Sequence, residues 1–239
     1  MNIRNRKSEF LECERLIIFI GLMSVGGFLG AFTYNLRGGV FCNAQTANFV
    51  LLAMEIGKGR WLGAAYLLIP ISAYFLGAVI SEAVPLSVRK TGLVRWDTLL
   101  VGFEIIVTVL LGFLPESAPN QITQVAVNFI CSMQYNTFRQ AEGTPMATTF
   151  CTNHLRQTGI HLVKWMRKKD ENALKRCGKH LCMLAFFICG GIVSTVLCHF
   201  FLGKAIWGAS VILLILFIDL LHADLTTEHN LLNKAPMGH

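Results

Sequence analysis

Charge is what this sequence has least of. Asp, Glu, Lys and Arg make up 15% of its residues, where soluble domains carry about 25%. The shortage is uneven. Leu16 to Leu36, Trp61 to Ser81 and Leu181 to Gly203 contain no charged side chain. Each run matches the roughly 20 apolar residues a helix needs to cross hydrocarbon, and a soluble core would have no use for several of them. Other absences narrow the function. No G-x-x-x-x-G-K-[ST] pattern occurs, which argues against direct ATP coupling. Neither H-E-x-x-H nor G-x-S-x-G occurs, so the commonest hydrolase signatures are missing and no enzyme is expected. The eight cysteines contain no C-x-x-C pair. Most lie in apolar runs, where cysteine behaves as a small hydrophobe, so neither a disulfide framework nor a metal site is expected, and no cofactor is implied.

What is present is membrane-like. Hydrophobic residues make up 54%, and mean hydropathy is +0.53. Arg4, Arg6, Lys7 and Arg15 precede the first apolar run, which is too long for a signal peptide and lacks a small-residue cleavage site, so it reads as a retained first helix. No linker interrupts the chain. The expectation is an all-α integral membrane protein with one transmembrane domain over 16–222, between cytoplasmic segments 1–15 and 223–239.

Six segments are strong span candidates: 16–36, 61–83, 97–114, 120–138, 181–203 and 204–222. Two more, 40–57 and 144–166, are studded with polar groups. The chain has either six spans plus two polar re-entrant or short helices, or eight spans. Basic residues concentrate in cytoplasmic loops. With six spans and the N-terminus inside, seventeen of the 21 Lys and Arg residues lie inside, leaving Arg37, Lys58, Arg60 and Lys204 outside. With eight spans the division is fourteen to six, with Arg156 stranded within a span. Six spans fit better, and both alternatives keep both termini cytoplasmic. The basic stretch "RKKDENALKRCGK" at 167–179 suits an anionic lipid surface. The net charge of +7 sits at membrane edges rather than on a recognition fold, so membrane lipid is the expected partner and nucleic acid is not.

The two polar segments resemble each other. Gly27-Phe28-Leu29-Gly30 precedes Asn43, Thr46 and Asn48. Ser132-Met133-Gln134-Tyr135 precedes Thr149, Thr152 and His154. The offset is 105 residues in the first element and 106 in the second. The halves, about 16–114 and 120–222, would hold three spans each, an odd number, which inverts one against the other. Inverted repeats are common in secondary transporters, whose sites form where interrupted polar segments meet. Irregular backbone survives at membrane depth only inside protein or beside a wet cavity.

Ionisable groups within spans mark proton or substrate paths. Glu104 lies well inside its span, and Asp219 lies nearer the cytoplasmic end of the last. On a helix, Thr149, Thr152 and Arg156 would share a face, a suitable contact for an anion. His154 and His161 also share a face, with no further metal ligands to be placed. The small-residue series Gly26/Gly30 and Ala73/Gly77/Ser81 favour close helix packing.

These residues resemble the YoaK family, bacterial inner-membrane proteins classed as a domain of unknown function. The matches are Gly27, Phe41, Asn43, Thr46 and Asn48 in the first half. In the second they are Gln134, Ala147, Thr148, Thr149 and Thr152. Gly30 stands where that family has an Asp, Ala47 and Asn153 replace two motif glycines, and Tyr135 replaces an Asn. The resemblance implies about six spans in the bacterial cytoplasmic membrane and supplies no substrate. The functional expectation is a small-solute secondary transporter or permease for a polar or anionic solute. Asn43, Thr46, Asn48, Gln134, Thr149, Thr152 and Arg156 would bind the solute, and Glu104 and Asp219 would couple protons. Six spans would call for a homodimer. The alternative is a non-transporting scaffold or regulatory subunit.

Overall fold

The computed structural model describes residues 10–238. Arg4, Arg6 and Lys7, the basic lead into the first helix, lie outside the described residues. The elements in order are α1 (Leu16–Leu36), α2 (Gln45–Gly57), α3 (Trp61–Ala83), α4 (Pro85–Thr91), α5 (Trp96–Gly112) and α6 (Asn120–Thr137). A small hairpin of β1 (Gln140–Ala141) and β2 (Thr144–Pro145) follows, then α7 (Thr152–Lys168), α8 (Glu171–Phe201) and α9 (Trp207–Leu225). The fold is all-α, 77% helical.

Among the described residues three stretches are long and apolar enough to cross a membrane: Leu16–Leu36, Trp61–Lys90 and Glu171–Leu225. The last holds α8 and α9, between which the chain reverses at Leu202, a residue with φ of 50°. The expected spans 97–114 and 120–138 form helices but do not qualify by themselves. α5 has 17 residues, and α6 is rich in polar side chains. The reason is visible in α6, which turns Gln124, Asn128, Ser132 and Gln134 into the protein.

A helix that is apolar all round belongs in an interior, and α1 occupies it. In its most apolar 18-residue window 67% of residues are buried, against 22% in the corresponding window of each of the other two. Outward faces carry Leu62, Phe75, Leu110, Ile188, Phe200 and Ile215 exposed, far more apolar surface than a water-facing monomer shows. This distribution is compatible with a membrane-embedded protein.

The packing pairs each half's first helix with a helix of the other half: α1 lies on α8, and α6 on α3. Glycine makes both crossings. At Gly190 of α8 a Cβ would collide with the Ser24 carbonyl oxygen, and at Gly27 of α1 with that of Phe187. At Gly77 of α3 a Cβ would meet the Phe129 carbonyl oxygen at 2.5 Å and the Ser132 side chain at 3.0 Å. Ser24 and Phe129 are 105 residues apart, as are Gly27 and Ser132, the same offset as in the sequence repeat. The remaining contacts keep this exchange: α2 packs on α3 as α7 does on α8, and α9 touches α1 as α5 touches α6.

Hydrogen bonds fix the directions. Leu16 N–H donates to Glu142, beyond the end of α6, while the Arg37 carbonyl at the end of α1 accepts from Gln124 near the start of α6. α1 and α6 are therefore antiparallel. Thr98 Oγ1 donates to Asp224 at 2.6 Å and Ser210 Oγ to Thr108 Oγ1 at 2.8 Å, so α5 and α9 are antiparallel too.

One end of the bundle, the terminal face, gathers the N-terminal segment, the α4–α5 connection, the β-hairpin and the tail. Buried Arg95 donates to the carbonyls of Leu231 and Lys234, Arg139 donates to that of Gly238, and Glu142 N–H donates to that of Glu14. Lys179 bridges to Glu142 at 2.6 Å. Burial works against the Glu142 carboxylate, but Lys179, the Leu16 N–H and Arg15 outweigh it and hold its pKa below the usual range. A depressed carboxyl pKa stabilises the fold above its unfolded value, about 4.3, and that contribution disappears as pH falls through the folded pKa. Melting followed across acidic pH should show wild type losing stability more steeply than Glu142→Gln. Equal slopes would remove this pair from the acid response.

Candidate functional site: a buried meeting point of two broken segments

After α1 the chain turns through Gly38 and Gly39, both at positive φ, and runs back into the protein. Asn43 reaches the middle of α1, and α2 then leads outward again. After α6 the β-hairpin sends the chain back in the same manner, and residues 146–151 reach the same depth before α7 leads out. The β-hairpin turn places Glu142 and Gly143 at φ of 48° and 70°, as a tight two-residue turn requires. The starts of α2 and α7 thus point inward from opposite ends of the bundle. Neither start is capped by a side chain.

The two segments join through Asn43. Its Nδ2 donates to the Gly26 carbonyl at 3.1 Å and to the Thr149 carbonyl at 2.9 Å. Gln134 Nε2 lies 3.4 Å from the carbonyls of Leu22 and Thr148. The Gly26/Gly30 pair, expected to serve helix packing, makes room for these segments instead. A Cβ at Gly26 would meet the Thr148 carbonyl at 2.6 Å, and one at Gly30 would meet the Asn43 amide at 2.9 Å.

A polar core adjoins this junction. Gln45 Nε2 donates to Asn128 Oδ1, Asn48 Nδ2 donates to Gln45 at 3.1 Å, and Asn128 Nδ2 donates to the Gln124 carbonyl at 2.7 Å. The Cys42 thiol lies against Thr33 and Asn128. Several atoms here are buried and have no hydrogen-bond partner: Asn43 Oδ1, Asn48 Oδ1, Ser132 Oγ, Thr148 Oγ1, Thr149 Oγ1 and both carboxyl oxygens of Glu104. Glu104 is 1% exposed and within electrostatic range of Cys131. Buried polar groups are normally paired, so such a concentration calls for an explanation.

Of the residues singled out from sequence, Asn43, Asn48, Gln134 and Thr149 come together here, and Glu104 is buried in the bundle. Thr46 and Thr152, equivalent under the 106-residue offset, are both exposed. Arg156 is exposed and donates to Asn153 at 3.1 Å, and Thr149 lies in the irregular segment before α7. The shared helical face of Thr149, Thr152 and Arg156 therefore does not form. Asp219 is exposed and lines a cavity of about 630 Å³ on the terminal face, beside Glu12, Arg15, His222 and Lys234. It is separate from Glu104. Sequence reasoning did not count Asn128 or Ser132 among the site residues, although Gln124, Asn128 and Ser132 recur every four residues along α6 and mark an inward polar stripe.

A second cavity, about 300 Å³, opens beside the junction and is lined by Tyr135, Asn136, Arg139, Ala147 and Asn153. Arg139 also pairs with Glu82 and reaches Gly238, so this cavity lies toward the terminal face.

No curated protein and no solved structure matches the chain. A family described as "Protein of unknown function (DUF1275)" matches residues 18–218, an uncharacterised group, as the motif resemblance implies. The chain belongs to the DUF1275 family.

Proposed function

We propose that this protein is a small-solute secondary transporter or permease of the bacterial cytoplasmic membrane, without enzymatic activity. In this reading six helices cross the bilayer, the segments ending in α2 and α7 are re-entrant, and the halves 16–114 and 120–222 are inverted. Both termini are cytoplasmic, and two copies form a homodimer. The antiparallel course of α1 and α6 and the matched glycine crossings support the inversion.

The observation that carries the proposal is Asn43 joining the two broken segments amid buried, unpartnered polar atoms. Helix starts bear partial positive charge, and α2 and α7 direct theirs inward from opposite sides, as discontinuous helices do in transporters. A polar solute would donate to the side-chain amide oxygens of Asn43 and Asn48, and an anionic group would face the Thr148 and Thr149 hydroxyls and the uncapped helix starts. The 300 Å³ cavity would be its cytoplasmic approach. Glu104, buried with no hydrogen-bond partner on either carboxyl oxygen, would take up and release the coupled proton.

The test is flux into proteoliposomes containing a pH-sensitive dye, with small carboxylates, amino acids, polyols and amines offered singly. At least one should drive uptake with proton movement. Glu104→Gln should abolish the proton movement, and Thr149→Val should cut uptake about tenfold while shifting stability by under about 1 kcal/mol, since its hydroxyl has no partner to lose. No uptake of any solute, from folded protein, would sink the transporter reading in favour of a scaffold.

A further inference from the structure

The broken segment before α7 is held from two sides. Asn43 and Gln134 bind the carbonyls of Thr149 and Thr148, and a histidine pair reaches the same segment from α8. His154 Nε2 lies 2.8 Å from the Ala147 carbonyl, and His154 Nδ1 lies 3.0 Å from His180 Nδ1. A carbonyl can only accept, so the His154 proton is on Nε2. Its Nδ1 is then a bare acceptor, and His180 Nδ1–H donates to it. Both rings are buried, at 0% and 1% exposure. The His161 ring lies parallel to that of His180, with centroids 6.0 Å apart.

We propose that the His154–His180 pair is a pH-sensitive latch, which ties residues 146–151 to α8 at neutral pH and releases them on acidification. The arrangement as found needs two neutral rings. A proton added to either makes a buried cation, which is costly unless an anion pairs with it. The charged groups in range of these rings are Lys164 on α7, Asp170 in the turn, and Arg176 and Lys179 on α8. Asp170 acts on His161, and Lys179 is already engaged by Glu142. Three cations against one carboxylate leave a protonated ring better hydrated than buried. Opening the pair lets each freed imidazole take up a proton at its ordinary value, about pH 6.5. At pH 5.0 this favours the open form by about thirtyfold for each ring freed. The latch is therefore at full strength above about pH 6.5 and weakens as pH falls. Its effect on a solute rests on the transport reading above, in which cytoplasmic acid would loosen the Thr148–Thr149 wall of the site.

The first half places other residues at these positions. Under the 106-residue offset Asn48 stands where the second half has His154, and it bonds to Gln45 of its own helix. The glycine crossings at Gly77 and Gly190 align α3 with α8, and ten residues before each stand Leu67 and His180. An amide and a leucine do not titrate near neutral pH, so acid would act through this pair on one broken segment and spare the other.

Hydrogen–deuterium exchange would be followed in the full-length protein in detergent at pH 7.5 and pH 5.0, as protection relative to the intrinsic rate at each pH. Protection over 147–158 should fall about a thousandfold in wild type, since two rings are freed together. His180→Gln, whose amide can still donate to His154, should be protected at pH 7.5 and lose at most about thirtyfold at pH 5.0. His199→Gln, altering an exposed histidine farther along α8, should behave as wild type. Protection over 183–198, where α8 packs on α1, should hold throughout and report an intact fold. A wild-type loss below about tenfold, a loss in His180→Gln as large as in wild type, or a loss extending over 183–198 would each overturn the latch. Exchange needs no solute, so a protein that moves none and still shows this response would keep the latch and lose the transporter reading.

Discussion

Gly190→Ala should destabilise the protein by about 3 kcal/mol, the upper range for forcing volume into a packed interior, lowering its melting temperature by about 10 °C. The added methyl would strike the Ser24 carbonyl oxygen, which is backbone and cannot rotate away. α8 would have to move off the central helix, and the same holds for Gly27→Ala against Phe187. Small residues let membrane helices approach closely, because packing, hydrogen bonds and lipid entropy drive their association. Gly159→Ala is the internal control. It lies within α7 with nothing within 4 Å of its added carbon, so it should be neutral or stabilising by about 0.5 kcal/mol. Equal melting temperatures for Gly190→Ala and Gly159→Ala would mean that the α1–α8 crossing is looser than described.

Asn43→Ala should cost about 3 kcal/mol and abolish uptake together. Its amide donates to two buried carbonyls on different elements, Gly26 and Thr149. Leaving buried groups unpaired costs about 1–3 kcal/mol each, more than the bonds contribute net. Asn43→Asp, similar in shape, removes the donor and brings oxygen against both carbonyls, so it should be no milder. A variant that melts like wild type would show that the two inward-running segments do not depend on this joint. The contrast with Thr149→Val matters most: structure and uptake fall together at residue 43, whereas only uptake falls at 149.

Parts of this arrangement were legible in the sequence for physical reasons. α1 and α3 follow the uncharged runs closely because charge marks where hydrocarbon ends. The two glycine crossings involve residues 105 apart, Ser24 with Phe129 and Gly27 with Ser132, the offset that the sequence motifs show. Other parts were hidden. The charged stretch at 167–179 reads as a basic segment at the membrane edge, outside the expected span 181–203, yet α8 already begins at Glu171, capped by Asp170, whose side chain accepts from Asn172 N–H. Hydropathy sees the apolar length of a helix and not its extension beyond the membrane. Thr46, Thr152 and Arg156 look like site residues, but α2 and α7 each pack through one narrow face, and polarity alone does not say which face turns inward. The Asn43–Thr149 joint spans 106 residues, and no local pattern encodes it. His180 meets His154 and His161 of α7 only when the α7–α8 turn at Lys169, with φ of 52°, folds the helices together.

The central claim is that two inverted halves bring their broken segments together from opposite sides of the membrane, and sidedness tests it most directly. Lys90 lies in the last turn of α4, in the connection that meets the tail, where Arg89 and Lys234 line one cleft. Lys58 lies between α2 and α3, toward the opposite end. Each would carry a single cysteine in an otherwise cysteine-free protein, exposed in intact cells to a thiol reagent that cannot cross the membrane. The account predicts that position 58 is labelled and position 90 is protected until the cells are permeabilised. Labelling of position 90 in intact cells would place the α4–α5 connection outside, align the halves in parallel, and contradict the transporter architecture.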